Sequence, residues 1–263
     1  MNQRTMDTER FGGLGRLYGR DALERLARAH VAVIGVGGVG SWTAEALARS
    51  GVGRLTLIDM DDVCITNTNR QLPAMEGEIG RPKVEVLAER VRRINPGCAV
   101  EAVTEFFLES TADRLLEPAG GPYDWVVDAV DRMAIKSLII TRARARAVSV
   151  LTVGGAGGRR DATQVRCGDL GSSGGDALLR QVRRELRQRH GWTIGRGEAF
   201  GVPAVYSAEP QMFPHSDGTV CERKEKAGDN LRMDCASGYG AACFVTGAFG
   251  FAAAGEVVRR IAL

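Results

Sequence analysis

Short apolar runs alternate with helical patterns along the first half of the chain. The runs resemble buried strands, being β-branched and bounded by turn residues, and they occupy 30–36, 54–59, 98–103, 123–128 and 148–153. Apolar residues recur at helical spacing in the intervening segments, most clearly over 37–50 and 81–95. This alternation predicts an α/β fold, a doubly wound and mostly parallel sheet of Rossmann-like type.

The pattern loosens after Gly154. The segment 154–158 (GGAGG) predicts a flexible turn, 159–165 a hairpin, and 174–190 a basic helix. Residues 191–235 have little periodicity, so we expect a long mobile loop with one strand at 204–207, before a C-terminal helix. The expected organisation is an N-terminal arm and helix at 1–29, a core at 30–153, and an extended C-terminal half at 154–263 that completes the same domain.

Composition narrows the class of protein. With 263 residues, 44% of them hydrophobic, and no short repeat, the chain is neither disordered nor fibrous. A net charge of +3 is too small to indicate nucleic-acid binding by itself. Six cysteines without a Cys-x-x-Cys pair, after a polar N-terminus, predict a reduced, cytoplasmic protein.

One uncharged segment is long enough to cross a bilayer. Residues 235–255 carry no charge over 21 positions, but glycine and alanine dominate them. We therefore expect a buried core helix, with a membrane span as the weaker alternative.

A glycine-rich turn follows the first predicted strand. Gly35, Gly37 and Gly40 satisfy G-x-G-x-x-G, and Gly38 lies between them. Such glycines allow backbone N–H groups at a helix start to approach a phosphate. Asp59 ends the next strand, where a carboxylate binds ribose hydroxyls. A turn shaped only by packing is the alternative.

Charged and amide side chains crowd the same predicted edge of the sheet. They are Asp59, Asp61, Asn67, Arg70, Gln71, Lys83 and Asp131. A nicotinamide site needs no such charge density, whereas a triphosphate requires cations and an aspartate that holds Mg²⁺. Each residue alone is also compatible with a solvated loop, and Asp131 with a helix N-cap.

These motifs resemble those of the ubiquitin-activating-type adenylyltransferases, which include the molybdopterin and thiamine biosynthesis activating enzymes. The shared elements are GVGGVGSW, Asp59, Asn67 with Arg70-Gln71, Gly80-Arg-Pro-Lys83 and the pair Asp128 and Asp131. The chain is more narrowly similar to bacterial tRNA threonylcarbamoyladenosine dehydratases through LIDMDDVCITNTNRQ, TVGGAGG, SDGTVC and MDCASGYG. This second resemblance covers nearly the whole chain.

The resemblance implies a role for each rim residue. Gly35, Gly37, Gly38, Gly40, Asp59, Asp61, Asn67 and Gln71 would bind ATP, Arg70 and Lys83 would also stabilise the reacting phosphate, and Asp131 would hold Mg²⁺. It further implies a homodimer in which an N-terminal arginine reaches the partner's ATP; Arg16 is the first candidate and Arg10 the second. The core would thus bind nucleotide, and the C-terminal half would bind substrate and dimerise.

The reaction implied is ATP-dependent cyclisation of threonylcarbamoyladenosine in tRNA. Adenylation activates the threonyl carboxylate, and the tethered carbamoyl group closes a ring and expels AMP. No enzyme nucleophile is needed, although Cys221 and Cys235 remain candidate reactive thiols. Small buried side chains are expected at Cys64, Cys98, Cys167 and Cys243. Without Cys-x-x-Cys pairs we expect no zinc; a monovalent cation and a sulfur-transfer partner stay open.

Basic clusters indicate the partner. Arg180, Arg183, Arg184, Arg187 and Arg189 lie in one predicted helix, and Arg142, Arg144 and Arg146 form a second group. Given the resemblance, we expect tRNA contact rather than DNA, with Trp192 and Phe200 stacking on an unpaired base. A solvated basic face is the alternative. His190 and His215 show no partner in the sequence, so ordinary surface or satisfied histidines are expected.

Two other activities compete with this interpretation. One is activation of the C-terminal carboxylate of a ubiquitin-like sulfur-carrier protein, which would favour an essential cysteine. The other is an NAD-dependent dehydrogenase, which Arg70 and Lys83 oppose.

Overall fold

The computed structural model describes residues 3–195, 197–215, 217–222 and 239–263, with side chains from residue 9 onwards in the first helix. Nine strands are described there: β1 His30–Ile34, β2 Arg54–Ile58, β3 Ala99–Val103, β4 Trp125–Asp128, β5 Ser149–Val153, β6 Val165–Asp169, β7 Pro203–Ser207, β8 Phe213–Pro214 and β9 Val220–Cys221. The α-helices of the same ranges are α1 Gln3–Tyr18, α2 Arg20–Arg28, α3 Gly40–Arg49, α4 Lys83–Ile94, α5 Ala112–Leu115, α6 Met133–Ala145, α7 Ala177–Arg189 and α8 Cys243–Ala262.

Seven strands form one sheet in the order β3-β2-β1-β4-β5-β7-β6. All neighbours are parallel except β6, which runs antiparallel to β7 at the edge. The chain leaves β1 in one direction towards β2 and β3, and β4 lies on the other side. The carboxyl ends of β1 and β4 therefore flank a topological switch point, the usual ligand crevice of such sheets.

Helices cover both faces of the sheet, which accounts for the buried apolar strands. Leu47 of α3, Leu87 of α4 and Phe249 of α8 belong to the core on one face. Ile139 of α6 and Val182 of α7 belong to the core on the other. The predicted doubly wound fold is confirmed, and β6 and β7 from the C-terminal half extend the same sheet.

Helix α8 contains the second half of the uncharged segment. It packs tightly on α3, since a Cβ at Gly250 would lie 2.6 Å from the Cβ of Trp42 and 2.8 Å from the carbonyl of Val39. Gly247, Gly250, Ala253 and Val257 are all buried. The expected core helix is thus confirmed for 243–262, and no helix among the described residues is long and apolar enough to span a membrane.

The prediction was wrong at one element of the C-terminal half. The expected hairpin over 159–165 is a turn followed by β6, which pairs with β7. Strand β6 (VRCGD) has no apolar run because it is an edge strand with exposed positions, so its sequence carries no strand signal. The expected strand at 204–207 is β7, one residue longer, and 191–222 also contains the β8–β9 hairpin.

Candidate active site

The glycine turn joins β1 to α3 in a conformation that only glycine tolerates. Gly35 has a φ of +83°, and a Cβ at Gly40 would lie 1.8 Å from the Gly35 carbonyl oxygen. No side chain caps the N-terminus of α3. The N–H groups of Ser41 and Thr43 donate to the carbonyls of Gly37 and Val39. The start of α3 lies at the carboxyl end of β1, where the N–H groups left without such a partner can bind a phosphate.

Asp59 fixes this turn as well as the next loop. Its Oδ2 accepts the Val36 N–H at 2.7 Å, and its Oδ1 accepts the Asp61 N–H at 2.9 Å. Burial raises the pKa of Asp59, whereas the two backbone donors and Lys83 favour its charged form. Each carboxylate oxygen has a second lone pair, so ribose hydroxyls can still bind here.

The loop after β2 brings its amide and arginine against the glycine turn. A Cβ at Gly37 would lie 3.7 Å from Nε2 of Gln71, and one at Gly38 would lie 3.8 Å from Cγ of Arg70. The Arg70 carbonyl accepts the Trp42 indole N–H at 3.2 Å and the Thr246 hydroxyl at 3.0 Å. These two bonds hold the loop, so Arg70 is presented from a fixed backbone.

Gln71 and Asn67 differ in what they leave available. Oε1 of Gln71 is buried without a hydrogen-bond partner, an acceptor beside the glycine turn that a bound hydroxyl would satisfy. Asn67 is buried, and its Oδ1 accepts the Cys64 N–H at 3.2 Å. This observation gives Asn67 a part in shaping the loop, beside the phosphate contact predicted for it.

Lys83, the first residue of α4, forms an ion pair at the rim. Its Nζ donates to Oδ2 of Asp61 at 2.8 Å, and its backbone N–H donates to the Asp61 carbonyl at 3.0 Å. The Lys83 side chain is only 6% exposed, whereas that of Asp61 is 60% exposed. An ammonium has three protons, so a buried Lys83 held by one carboxylate keeps donors for a phosphate.

The end of β4 completes the rim. The loop after it packs on the glycine turn, because a Cβ at Gly35 would lie 3.1 Å from the Ala129 carbonyl oxygen. Asp131 is exposed at this edge. It is not an N-cap, as one interpretation of the sequence had it, because Arg132 precedes the first residue of α6 without a side-chain cap.

A buried ion pair under this loop was missed from the sequence. Nζ of Lys136 lies 3.0 Å from Oδ2 of Asp128, both side chains are fully buried, and Thr152 donates to the same oxygen at 2.6 Å. Lys136 also donates to the Val130 carbonyl at 2.9 Å, which ties α6 to the loop that bears Asp131. Lys136 is a cation inside the apolar run at the start of α6, and this is the signal that was available in the sequence.

The two N-terminal arginines have different surroundings. Nη1 of Arg10 donates to the Ile94 carbonyl at 2.9 Å, at the end of α4 remote from Lys83. Arg16 is exposed on α1. Arg10 is therefore anchored within its own chain, away from the rim, whereas the Arg16 side chain is open to solvent.

The arginines of α7 divide into two groups. Arg183 donates to the carbonyls of Leu170 and Ser173 at 3.1 Å, and Arg187 donates to the carbonyls at 194 and 195. Arg180, Arg184 and Arg189 are exposed. These three side chains are the solvent-facing part of the predicted basic face. Within it, Arg184 donates to Gln188 at 3.0 Å, and Arg189 lies 3.4 Å from Glu185 along the helix.

The neighbouring aromatic and basic residues are engaged within the chain. Phe200 is 2% exposed and stacks on Trp192 with ring centroids 5.9 Å apart. The expectation that Phe200 stacks on an unpaired base is therefore wrong, because its ring is covered within the chain. The guanidinium of Arg144 lies 5.7 Å from the Trp192 ring centroid. Arg142 and Arg146 form ion pairs with acidic residues of 109–117.

Comparison with known proteins identifies the family. The model described as "ThiF family" matches residues 13–262. The Escherichia coli tRNA threonylcarbamoyladenosine dehydratase is 46% identical over 96% of this chain and 93% of that protein, and the Haemophilus influenzae one is 45% identical over the same shares. The chain belongs to the ThiF family, and within it to the tRNA threonylcarbamoyladenosine dehydratases.

A solved structure of this branch of the ThiF family carries a nucleotide. The E. coli dehydratase TcdA, crystallised in complex with ATP, superposes with a TM-score of 0.84 at 39% identity, over 97% of this chain and 94% of that one. The crevice of the present chain fits such a ligand on its own geometry, through the uncapped start of α3 and the orphaned acceptor of Gln71.

The fit to Mg²⁺ rests on fewer groups. Among the described ranges, no cluster of three or more His, Cys, Asp or Glu side chains could hold a metal ion. In nucleotide sites Mg²⁺ is bound by one or two carboxylates together with the substrate's phosphates. Asp131 at the edge of the crevice supplies a single such carboxylate, and this suits an ion that arrives with ATP.

The cysteines of this ThiF-family chain differ from expectation. Cys98 is buried as predicted, but Cys64, Cys167 and Cys243 are exposed. Cys221 is half-buried, and its Sγ lies 3.0 Å from Nε2 of His215. The sequence alone does not predict this contact, because the β8–β9 hairpin brings the two residues together. Cys235 lies outside the described residues.

Proposed function

We propose that this chain is an ATP-dependent enzyme that cyclises threonylcarbamoyladenosine in tRNA with net loss of water. The observation that carries the proposal is the convergence of the glycine turn, Arg70, Gln71 and Lys83 at the carboxyl ends of β1 and β2. The family membership gives this nucleotide crevice its substrate, since the E. coli and H. influenzae relatives are named for that modified nucleoside.

The first step activates a poor electrophile. An oxygen of the threonyl carboxylate attacks the α-phosphorus of ATP, forming an acyl-adenylate and releasing pyrophosphate. The α3 N–H groups orient the phosphates, and Arg70 and Lys83 offset the charge that develops in the transition state. Asp61 positions Lys83, because the 2.8 Å ion pair fixes the ammonium at the rim.

The second step needs no covalent enzyme intermediate. An atom of the carbamoyl group attacks the activated carbonyl, and a five-membered ring closes. AMP departs with one former carboxylate oxygen, and the carbamoyl group loses one N–H proton to water. The nucleophile is tethered to the electrophile, so its effective molarity is high. Asp131 would hold Mg²⁺, which neutralises phosphate charge when bound.

Three further features belong to this proposal. The chain acts as a homodimer in the cytoplasm, and Arg16 from one subunit reaches the ATP of the other. The exposed arginines of α7, Arg180, Arg184 and Arg189, bind phosphates of the tRNA. Arg183 and Arg187 support that face from within, through their contacts to neighbouring carbonyls.

Nucleoside mass spectrometry tests the activity. Threonylcarbamoyl-modified tRNA is incubated with the protein, Mg²⁺ and either ATP or no nucleotide, then digested to nucleosides. Loss of one water from the modified adenosine only when ATP is present supports the proposal. An unchanged nucleoside, from a protein that ATP but not NAD stabilises thermally, contradicts it and favours activation of a sulfur-carrier carboxylate instead.

A further inference from the structure

The β8–β9 hairpin places a thiol against an imidazole. Phe213 pairs with Cys221 across the hairpin, and Pro214 pairs with Val220. His215 follows β8 directly, and its Nε2 lies 3.0 Å from Sγ of Cys221. Cys221 is half-buried, intermediate in exposure between the buried Cys98 and the exposed Cys64.

Backbone hydrogen bonds join His215 to Gly218 and Thr219. The His215 N–H donates to the Thr219 carbonyl at 2.8 Å, and the Gly218 N–H donates to the His215 carbonyl at 3.0 Å. Oδ1 of Asp217 accepts the Thr219 N–H at 2.9 Å and its hydroxyl at 2.7 Å. The imidazole therefore faces the thiol from a backbone whose position is set by the turn.

The hairpin is also bonded to the sheet edge that bears the crevice. The Met212 N–H, just before β8, donates to the Gly158 carbonyl at 2.8 Å, and the Gly158 N–H donates to the Gly240 carbonyl at 2.7 Å. Gly158 belongs to the glycine turn that follows β5. The thiol thus lies on an ordered element of the substrate half.

We propose that Cys221 is a modification site for small disulfides, with His215 as its base. An imidazole within hydrogen-bond distance takes the thiol proton, and the thiolate is the nucleophile in disulfide exchange. The Cys221 sulfur forms a bond to one sulfur of the disulfide while the original S–S bond breaks. The departing thiolate takes the proton from His215, so the reaction consumes one thiol and one disulfide and yields one of each.

The other thiols supply internal comparisons. Burial raises the pKa of the Cys98 thiol to about 11, which suppresses its thiolate. Cys64 is exposed, and the Thr66 hydroxyl, 3.2 Å from its Sγ, lowers the pKa of that thiol. Cys64 thus reacts by a route that does not involve His215.

The test measures exchange at each cysteine separately. The reduced full-length protein is treated with limiting glutathione disulfide at neutral pH, quenched with acid, and digested for peptide mass spectrometry. We expect His215→Gln to slow glutathionylation of Cys221 on the order of tenfold, with the rate at Cys64 unchanged. An unchanged rate at Cys221 in that variant would overturn the proposal.

A second variant guards against a misassigned signal. With a chromogenic disulfide in place of glutathione disulfide, and with Cys64→Ser as the background so that this exposed thiol does not contribute, Cys221→Ser is expected to remove the fast phase of total thiol release. Persistence of that phase would also overturn the proposal. Thermal stabilisation by ATP, measured on both variants, verifies that the fold and nucleotide crevice are intact, and this readout does not depend on tRNA turnover.

Discussion

At the scale of single residues, the two rim cations, Arg70 and Lys83, are held by different contacts. The Arg70 carbonyl accepts from Trp42 and Thr246, and these two anchors of the loop survive truncation of the side chain. The truncation removes only the bonds from the guanidinium to the Thr66 carbonyl and to Asn69. Lys83 pairs with an exposed Asp61, which water can solvate once the ammonium is removed. Neither substitution is therefore expected to unfold the protein.

We expect Arg70→Ala and Lys83→Ala each to lower the rate of adenylation by about 100-fold or more, the usual cost of one transition-state donor. The measurement is AMP release from ATP in the presence of modified tRNA. Arg93→Ala, an exposed change in the last turn of the same helix as Lys83, is the matched control. Full turnover in both rim variants would refute the site assignment.

His30 couples stability to pH at the opposite edge of the sheet. It is buried, with Nε2 2.9 Å from the Thr56 hydroxyl, and its Nδ1 is buried without a hydrogen-bond partner. Burial, followed by the charge of Arg54, lowers its pKa from 6.5. The unfolded chain binds the proton more readily, so stability is complete above about pH 6.5 and declines as pH falls through the lowered pKa.

Thermal melting across this window measures the effect. The melting temperature should fall between about pH 7.5 and about pH 5.5, and His30→Phe, which cannot titrate, should show a smaller fall. Thr56→Val serves as a second variant for comparison with His30→Phe. It removes the hydroxyl that contacts His30 Nε2 but keeps the imidazole that titrates. Equal pH dependence in wild type and His30→Phe would show that this imidazole does not carry the coupling.

At the scale of elements, α7 presents a basic face of which only a part is available. Replacing Arg180, Arg184 and Arg189 with alanine should weaken tRNA binding, and it should lower the salt slope by about one for each phosphate that an arginine no longer neutralises. ATP-induced stabilisation should stay unchanged. Binding isotherms at several salt concentrations give both quantities.

The inner arginines of α7 supply the contrast. Arg183→Ala removes donors to Leu170 and Ser173, so its main effect should be on thermal stability. A triple variant that binds tRNA with an unaltered salt slope would show that the tRNA contacts lie elsewhere.

Sequence patterns predicted the strands that form apolar or β-branched runs, including β3 at one edge of the sheet. Strands β1, β2, β4 and β5 are apolar on both faces, and glycines mark the turn after β1, so their places follow from local chemistry. Strand β6 has no apolar run in its sequence, and it forms a strand only through its pairing with β7. The pairs Lys136 with Asp128 and His215 with Cys221 were missed for a related reason, since tertiary or hairpin geometry brings each pair together.

At the scale of the whole molecule, the sheet order converts these local features into one site. Residues distant in sequence meet at the switch between β1 and β4, where the glycine turn, the loop after β2 and the start of α4 converge. The basic helix α7 belongs to the C-terminal half of the same chain. The sheet order thus accounts for one nucleotide crevice built from three separate segments of the chain.

The central claim is that an adenylated carboxylate links ATP to ring closure, and oxygen tracing tests it most directly. Modified tRNA carrying ¹⁸O in the threonyl carboxylate is turned over with unlabelled ATP, and the released nucleotide is analysed by mass spectrometry. The account predicts AMP that carries one heavy oxygen, because the attacking oxygen stays on phosphorus when the ring closes. Unlabelled AMP, or ADP in its place, would contradict it.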